Sequence, residues 1–467
     1  MSISIGFAND NMLASDQHPM NSSDAQAYTT QLVHSLQPAP WVKFDSNARG
    51  VASSSSHHHQ DRVHRHDSDE EIWAHKAGVN ALDVDRFEGK YMVTGGADAS
   101  IRLWDLEAIE GTTSSTHRPL GSVPKSSSHK FSITHLSFYP FDTDAFLSSS
   151  YDATLSITST SSLTPSYTFS LTHPIYSHAL SPIASHLLVA VATRHPAVRL
   201  VDLRSASTAH SLPGHSGPVL SVSWSPRTEH ILASAGADGT VRLWDIRRGS
   251  ACLGMLDMED SIGILGHDGH GTGARNPTSL RKAHNGPSNG VTWTGNGEYL
   301  VTCGHDGRIR VWDAGTGANT LAHFGPTIRN TGLATVLPVI VPHDLVEKKW
   351  VLCWPNEKEV LVCDMLEGTL LQKLKIREGR IAQGGRGERN VKGGIRALSW
   401  RGKTGIELYA GCVDGTVKCF MPETMNNVED DGDEDGEEIV DESKKKRKRE
   451  VLDEIYRDLT KQKITFT

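Results

Sequence analysis

Three groups of residues have the types of a hydrolytic centre: His75, Thr94 and Asp98; His215, Ser234 and Asp238; His284, Thr302 and Asp306. A hydroxyl, an imidazole and a carboxylate are the nucleophile, base and orienting acid of acyl transfer. Here the trio recurs at similar spacing along the chain, and each copy is followed by a tryptophan: Trp104, Trp244 and Trp312. No nucleophile elbow frames these hydroxyls. A recurring trio reads as a structural staple. The histidine bonds the turn aspartate and the hydroxyl bridges histidine to tryptophan, a polar chain that is tolerated in a core only when fully satisfied. The expectation is therefore a chain that is not an enzyme.

Other chemistry-bearing segments are weaker. His57, His58, His59, His64 and His66 offer imidazoles, but in a Ser- and His-rich run with no rigid frame to fix a metal. That run reads as a linker, with no metal expected. The Gly-rich basic stretch 377–394 lacks the Gly-Lys-Ser/Thr of a phosphate loop and reads as a solvated surface loop. No cofactor is expected. The six cysteines form no Cys-x-x-Cys pair, which points to a reducing compartment.

The elements that position the staples are repeats. Residues 74–105, 214–247 and 283–313 share one grammar: a histidine, an apolar strand, and a second strand ending in small residues. A turn aspartate, a third strand and Trp-Asp follow. This is the WD-repeat signature, one propeller blade per unit. Weaker copies lie at 129–158, where Ile157-Thr158 replaces Trp-Asp, and at 173–204, 350–365 and 395–420. The turn aspartate recurs as Asp98, Asp152, Asp238, Asp306 and Asp414. Six steps from Asp98 to Asp414 give about 53 residues per blade, slightly above a minimal repeat, with the excess in the loops 248–282 and 366–394. The expected fold is all-β: a seven-bladed WD-repeat β-propeller over 70–420, its third and sixth blades degenerate. Glu70–Ala74 is the expected fourth strand of the last blade, closing the ring so that no edge stays open.

The flanks differ. Residues 1–69 hold a short helix over 20–37, started by the capping-box spacing of Ser23 and Gln26 and stopped by Pro38. Ala25, Tyr28, Leu32 and Leu36 fall on one face. A lone helix of this size is marginal in water. It packs on its own propeller, docks a partner, or frays. Residues 421–467 form a charged tail. Residues 429–442 carry ten acids and no base, and Lys444, Lys445, Lys446, Arg447, Lys448 and Arg449 follow. The basic run reads as a nuclear localisation signal. Outside both runs the chain is mildly acidic, so no sequence-specific nucleic-acid binding is expected. No stretch is long and apolar enough for a membrane span, and the N-terminus lacks a secretory signal.

Five segments carry a resemblance beyond the generic repeat: 79–98, 138–155, 176–205, 220–248 and 317–325. The most telling is 176–205, where Ser-His-Ala-Leu-Ser-Pro precedes Val-Ala-Val-Ala-Thr-Arg. Over about 75–420 the chain resembles the Cockayne syndrome A protein family, WD-repeat substrate receptors of a cullin-RING ubiquitin ligase in transcription-coupled nucleotide excision repair. The resemblance implies docking of a multi-propeller adaptor, with cullin and RING subunit held indirectly, and presentation of a repair factor or stalled RNA polymerase complex. It implies that an Asp-x-Arg ending a blade's third strand marks the docking face, here Asp202 with Arg204 and Asp245 with Arg247. Tyr28, Leu32 and Leu36 of the helix would be the second anchor. Blade one ends in Leu106-Glu107 instead, and the charged tail has no counterpart in the family pattern. A second reading is a nuclear WD-repeat scaffold in ribosome assembly or histone binding.

Overall fold

A computed structural model describes residues 30–46, 72–107, 115–248, 252–259, 281–342, 350–376, 394–402 and 405–422. The chain divides into two units, Met1–Glu423 and Thr424–Thr467, and all described residues belong to the first.

Alternating apolar residues give each repeat an antiparallel sheet, and seven such sheets form a seven-bladed β-propeller. Blade 1 is Val79–Val84, Tyr91–Gly96, Ile101–Asp105 and Pro119–Val123. Blade 2 runs from Ile133–Phe138 to Pro165–Ser170 and blade 3 from Ile175–Leu180 to Ser207–Leu212. Blade 4 runs from Val219–Trp224 to Cys252–Met255. Blade 5 is Ser288–Trp293, Tyr299–Gly304 and Arg308–Asp313; in place of a fourth strand it has one bridge, Trp312 to Asn319. Blade 6, weak in sequence, is complete: Val339–Ile340, Val351–Asn356, Glu359–Asp364 and Leu370–Lys375.

The core is not central. It is split into seven apolar layers, one between each pair of neighbouring blades. Trp104 lies in the layer between blades 7 and 1, Trp244 between 3 and 4, and Trp312 between 4 and 5. The second strands end in small residues for a steric reason. A Cβ on Gly236 would stand 2.5 Å from the His215 ring nitrogen, and one on Gly304 would stand 2.4 Å from that of His284.

Blade 7 corrects the expected closure. Its strands Ile395–Trp400, Leu408–Cys412 and Val417–Pro422 take their fourth partner from Leu36–Pro38, not from Glu70–Ala74. Leu36 stands opposite Pro422 and Pro38 opposite Phe420. Residues 72–74 carry no strand; instead the Ala74 and His75 N–H groups both donate to Gly415 O. The reason is burial. Leu36 and Val33 are fully buried with Phe420, Leu374 and Val351 in the layer between blades 6 and 7. The chain then crosses the seam to blade 1. Lys43–Phe44 pairs in parallel with Thr116–His117, and the Phe44 ring stacks on His117 and meets Trp104 edge-on.

The expected helix is likewise revised. The described helical residues are 30–34, and Leu36 is already strand, because Pro38 and the blade 7 ladder draw the chain into extended conformation. Tyr28 lies outside the described residues.

Candidate interaction surface

The three trios come together within their own blades. His75 Nε2 lies 2.8 Å from Thr94 Oγ1, to which Trp104 Nε1 donates at 2.9 Å, and His75 Nδ1 meets Asp98 at 3.4 Å. In blade 4, His215 reaches Ser234 at 2.8 Å and Asp238 at 3.2 Å, and Trp244 donates to Ser234 at 2.8 Å. In blade 5, His284 reaches Thr302 at 2.8 Å and Asp306 at 3.0 Å, and Trp312 donates to Thr302 at 2.9 Å. Burial alone would raise the carboxyl of each aspartate, but its histidine's hydrogen bond and charge hold Asp98, Asp238 and Asp306 well below the usual range. Burial in turn lowers His75 and His284. The hydroxyls of Thr94, Ser234 and Thr302 are sealed at 0% exposure, so no substrate can reach them.

Variants of the staple follow the weaker repeats. In blade 2, His129 bonds Ser148 at 2.7 Å and faces Asp152 at 3.6 Å, although no tryptophan closes the chain. In blade 7, Asp414 holds only its own turn, accepting from the Thr416 N–H and hydroxyl. One string, Gly286-Pro287-Ser288-Asn289-Gly290, has the spelling of a nucleophile elbow. Ser288 nevertheless begins a strand, is fully buried, and donates to Cys303 O.

Antiparallel strands put the turns after the first and third strands of every blade at one end of the ring. Both Asp-x-Arg sequences lie there, at the ends of the third strands of blades 3 and 4. In each, the aspartate caps its turn: the Arg204 N–H donates to Asp202 at 2.9 Å and the Arg247 N–H to Asp245 at 3.1 Å. Asp105, Asp313 and Asp364 cap the same turns in blades 1, 5 and 6, so the aspartate is a general turn device.

The two arginines differ. Arg247 grips Asp245 with a fork, Nε at 3.0 Å and Nη2 at 2.8 Å, and these bonds lower the Asp245 carboxyl to about 2. The Arg247 side chain still keeps 61% exposure. Arg204 gives Asp202 its backbone N–H, and its side chain is exposed.

The same end carries apolar residues that sequence reasoning missed. Phe87, Phe141 and Ile183, in the first turns of blades 1, 2 and 3, are 47%, 45% and 46% exposed. Their signal was positional: a large apolar residue inside a polar turn. Leu32 and Leu36, expected on a partner-facing helix stripe, are instead buried against the propeller. Lys444–Arg449 lie outside the described residues. All six cysteines are free thiols.

Comparison with known proteins agrees with the repeats. The family described as WD domain, G-beta repeat matches residues 70–105, 206–245 and 275–313. The WD repeat-containing protein ATCSA-1 of Arabidopsis thaliana is 31% identical over 311 residues, 54% of this chain and 69% of that protein. Human nucleoporin Nup43 is 26% identical over 159 residues, 33% of this chain and 36% of its own. The ribosome biogenesis protein WDR12 homolog of Chlamydomonas reinhardtii is 38% identical over 96 residues, 18% of this chain and 21% of its own. Seven antiparallel blades and a relative matched across most of its length make this chain a member of the WD-repeat family.

Proposed function

We propose that the chain is a non-catalytic substrate receptor of a cullin-RING ubiquitin ligase acting in transcription-coupled nucleotide excision repair. WD-repeat propellers are generally interaction scaffolds, and the similarity to ATCSA-1 over 311 residues supports this branch of them. The observation that carries the reading is the pair of neighbouring turns at Asp202–Arg204 and Asp245–Arg247. Each offers an exposed guanidinium at the ring end that also displays Phe87, Phe141 and Ile183. Apolar anchors flanked by planar cationic donors are the composition of a protein interface. On this reading the multi-propeller adaptor docks there, with cullin and RING subunit behind it, and a repair factor or stalled polymerase complex is held elsewhere on the ring. Of the N-terminal anchor, Leu32 and Leu36 are spent on the core.

Replacing Arg204 and Arg247 together by Glu tests this. Co-purification of the adaptor should be lost while the domain stays folded, with a modest fall in melting temperature because Asp245 loses the Arg247 fork. Unchanged co-purification would overturn the docking face. We also propose that Lys444–Arg449 direct the protein to the nucleus; deleting 443–449 should disperse it, and retained nuclear accumulation would refute the signal. A second reading, a scaffold in ribosome assembly, draws on the short similarities to the WDR12 and BOP1 homologs. It would be preferred if assembly factors rather than a cullin were recovered with the tagged protein.

A further inference from the structure

Blade 5 differs from its neighbours at the outer rim. After Thr320 donates to Val311 O, the chain leaves the fourth-strand position through Leu321, whose φ is 63°, and continues without strand pairing to Gly325. Between this segment and the third strand lies a cavity of about 260 Å³. One wall carries Arg308 and Arg310, two positions apart on one strand and so on the same side of it. The other carries Leu321, His323 and Phe324, with Met258 at the margin.

Among the described residues the donors are not all spent. Arg310 Nη1 is committed to Asp306 at 2.8 Å and to the His284 ring, but among the described residues its Nη2 meets only the thioether of Met258, at 3.9 Å. A thioether is a poor acceptor, and the Arg310 side chain is only 12% exposed, so this nitrogen needs a better partner than its surroundings give. The Arg308 side chain is exposed at the cavity mouth. His323 Nδ1 accepts the Gly325 N–H at 3.1 Å, which leaves the proton on Nε2 as a further donor. Phe324 is 7% exposed and forms an apolar wall, while Leu321 stands 59% exposed at the mouth.

We propose that this cavity binds an oxyanion carried on a peptide side chain, a carboxylate or a phosphate, with an apolar neighbour of that residue resting on Leu321. Guanidinium groups suit such oxyanions because their planar forks match two oxygens at once. The space lies at the lower edge of the about 300–1,000 Å³ of ordinary ligand pockets and suits one or two side chains. An extended polyanion is disfavoured: the cations form one spot on a mildly acidic body, not a stripe along a groove. The site lies on blade 5, away from the turns of blades 3 and 4 assigned to adaptor docking, and does not depend on that assignment.

The test uses the full chain and three pools of biotinylated nonapeptides with degenerate flanks, whose central residue is phosphoserine, glutamate or serine. At least one acidic pool should be retained at least tenfold more strongly than the serine pool, with apolar residues enriched beside the acid. Preference for phosphoserine would name phosphate as the source, and equal retention of glutamate would name carboxylate. Arg308→Ala with His323→Ala should remove the preference without moving the melting temperature; Arg310 is left intact because it braces Asp306. The Arg204→Glu, Arg247→Glu variant should retain it, so failure of the docking reading would be seen separately. No preference over serine, or a preference that survives the double alanine variant, would overturn the proposal. So would displacement of the peptides by a single-stranded oligonucleotide at lower concentration than by the acidic pool itself.

Discussion

Pro38 stands opposite Phe420, so the ring is closed by a strand that precedes the first repeat. The closure is held by burial as well as by the ladder. Leu36 is fully buried beside Val33 and Phe420, and Gln372 of blade 6 donates to Leu36 O at 2.8 Å. Leu36→Ala should cost about 3–4 kcal/mol, the middle of the range for a buried leucine. It should also make blade 7 the first to exchange its amide hydrogens. Glu70→Ala, in the segment expected to close the ring, should leave both readouts unchanged.

How far the sequence could be read depended on what each position needs. The staples were legible because His, Ser or Thr, Asp and Trp are each required by one hydrogen bond, as with Ser234 between His215 and Trp244. The closing strand was not, because Leu36–Pro38 is three residues long and any buried apolar residue before a proline looks alike. Blade 6 was faint because its second strand, Val351–Asn356, is buried at every position and so shows no alternation. Residues 330–335 carried no pattern at all. They are held by Asn289, which donates to Asn330, Gly332 and Ala334, and by Thr335 donating to Leu220 O of blade 4, contacts between residues distant in sequence. At the Asp-x-Arg turns the aspartates were visible, but not that Arg247 is gripped while Arg204 is not.

Ser234 is the single bridge between His215 and Trp244. Ser234→Ala leaves an imidazole nitrogen and an indole N–H without their partner in a sealed layer, at a cost of roughly 2–4 kcal/mol. Ser148→Ala in blade 2 should cost less, because His129 is its one ring partner and no tryptophan depends on it. Paired chemical denaturation curves would check the order. Equal losses would mean that the tryptophan bond adds nothing.

The residue after each turn aspartate is left-handed in five blades: Ala99 and Ala153 at φ 65°, Gly239 at 79°, Gly307 at 66° and Gly415 at 89°. Alanine is strained there, so Ala99→Gly should raise stability by about 0.5–1 kcal/mol. The reverse change is worse than strain alone. A Cβ on Gly239 would lie 2.6 Å from His284 O and 2.7 Å from Gly286 O, where the next blade's histidine segment crosses. Gly239→Ala should therefore cost more than about 2 kcal/mol and loosen blades 4 and 5 together. Thermal melts of the two variants should move in opposite directions.

Acid should unfold the ring in two stages, and the signs follow from the groups involved. His135, on the innermost strand of blade 2, is lowered by burial to about 4, and its Nδ1 has no hydrogen-bond partner among the described residues. Beside it His178 is pushed further down by burial, with its ring between Ser137 and Ser149. A histidine held neutral in the fold but free to charge when unfolded stabilises the fold fully above pH 6.5. Its contribution falls away between 6.5 and 4, by at most about 3 kcal/mol for His135. Asp98, Asp152, Asp238 and Asp306 are all held below their ordinary values, so their contribution is lost only below about pH 4. Asp83, raised by burial on the neighbouring strand, works the other way and gains as pH falls. Melting temperature measured from pH 7 to 4.5 isolates the histidine stage. His135→Gln should flatten that slope while leaving the later carboxylate stage intact. An unchanged slope would mean that His135 takes up its proton without leaving the fold.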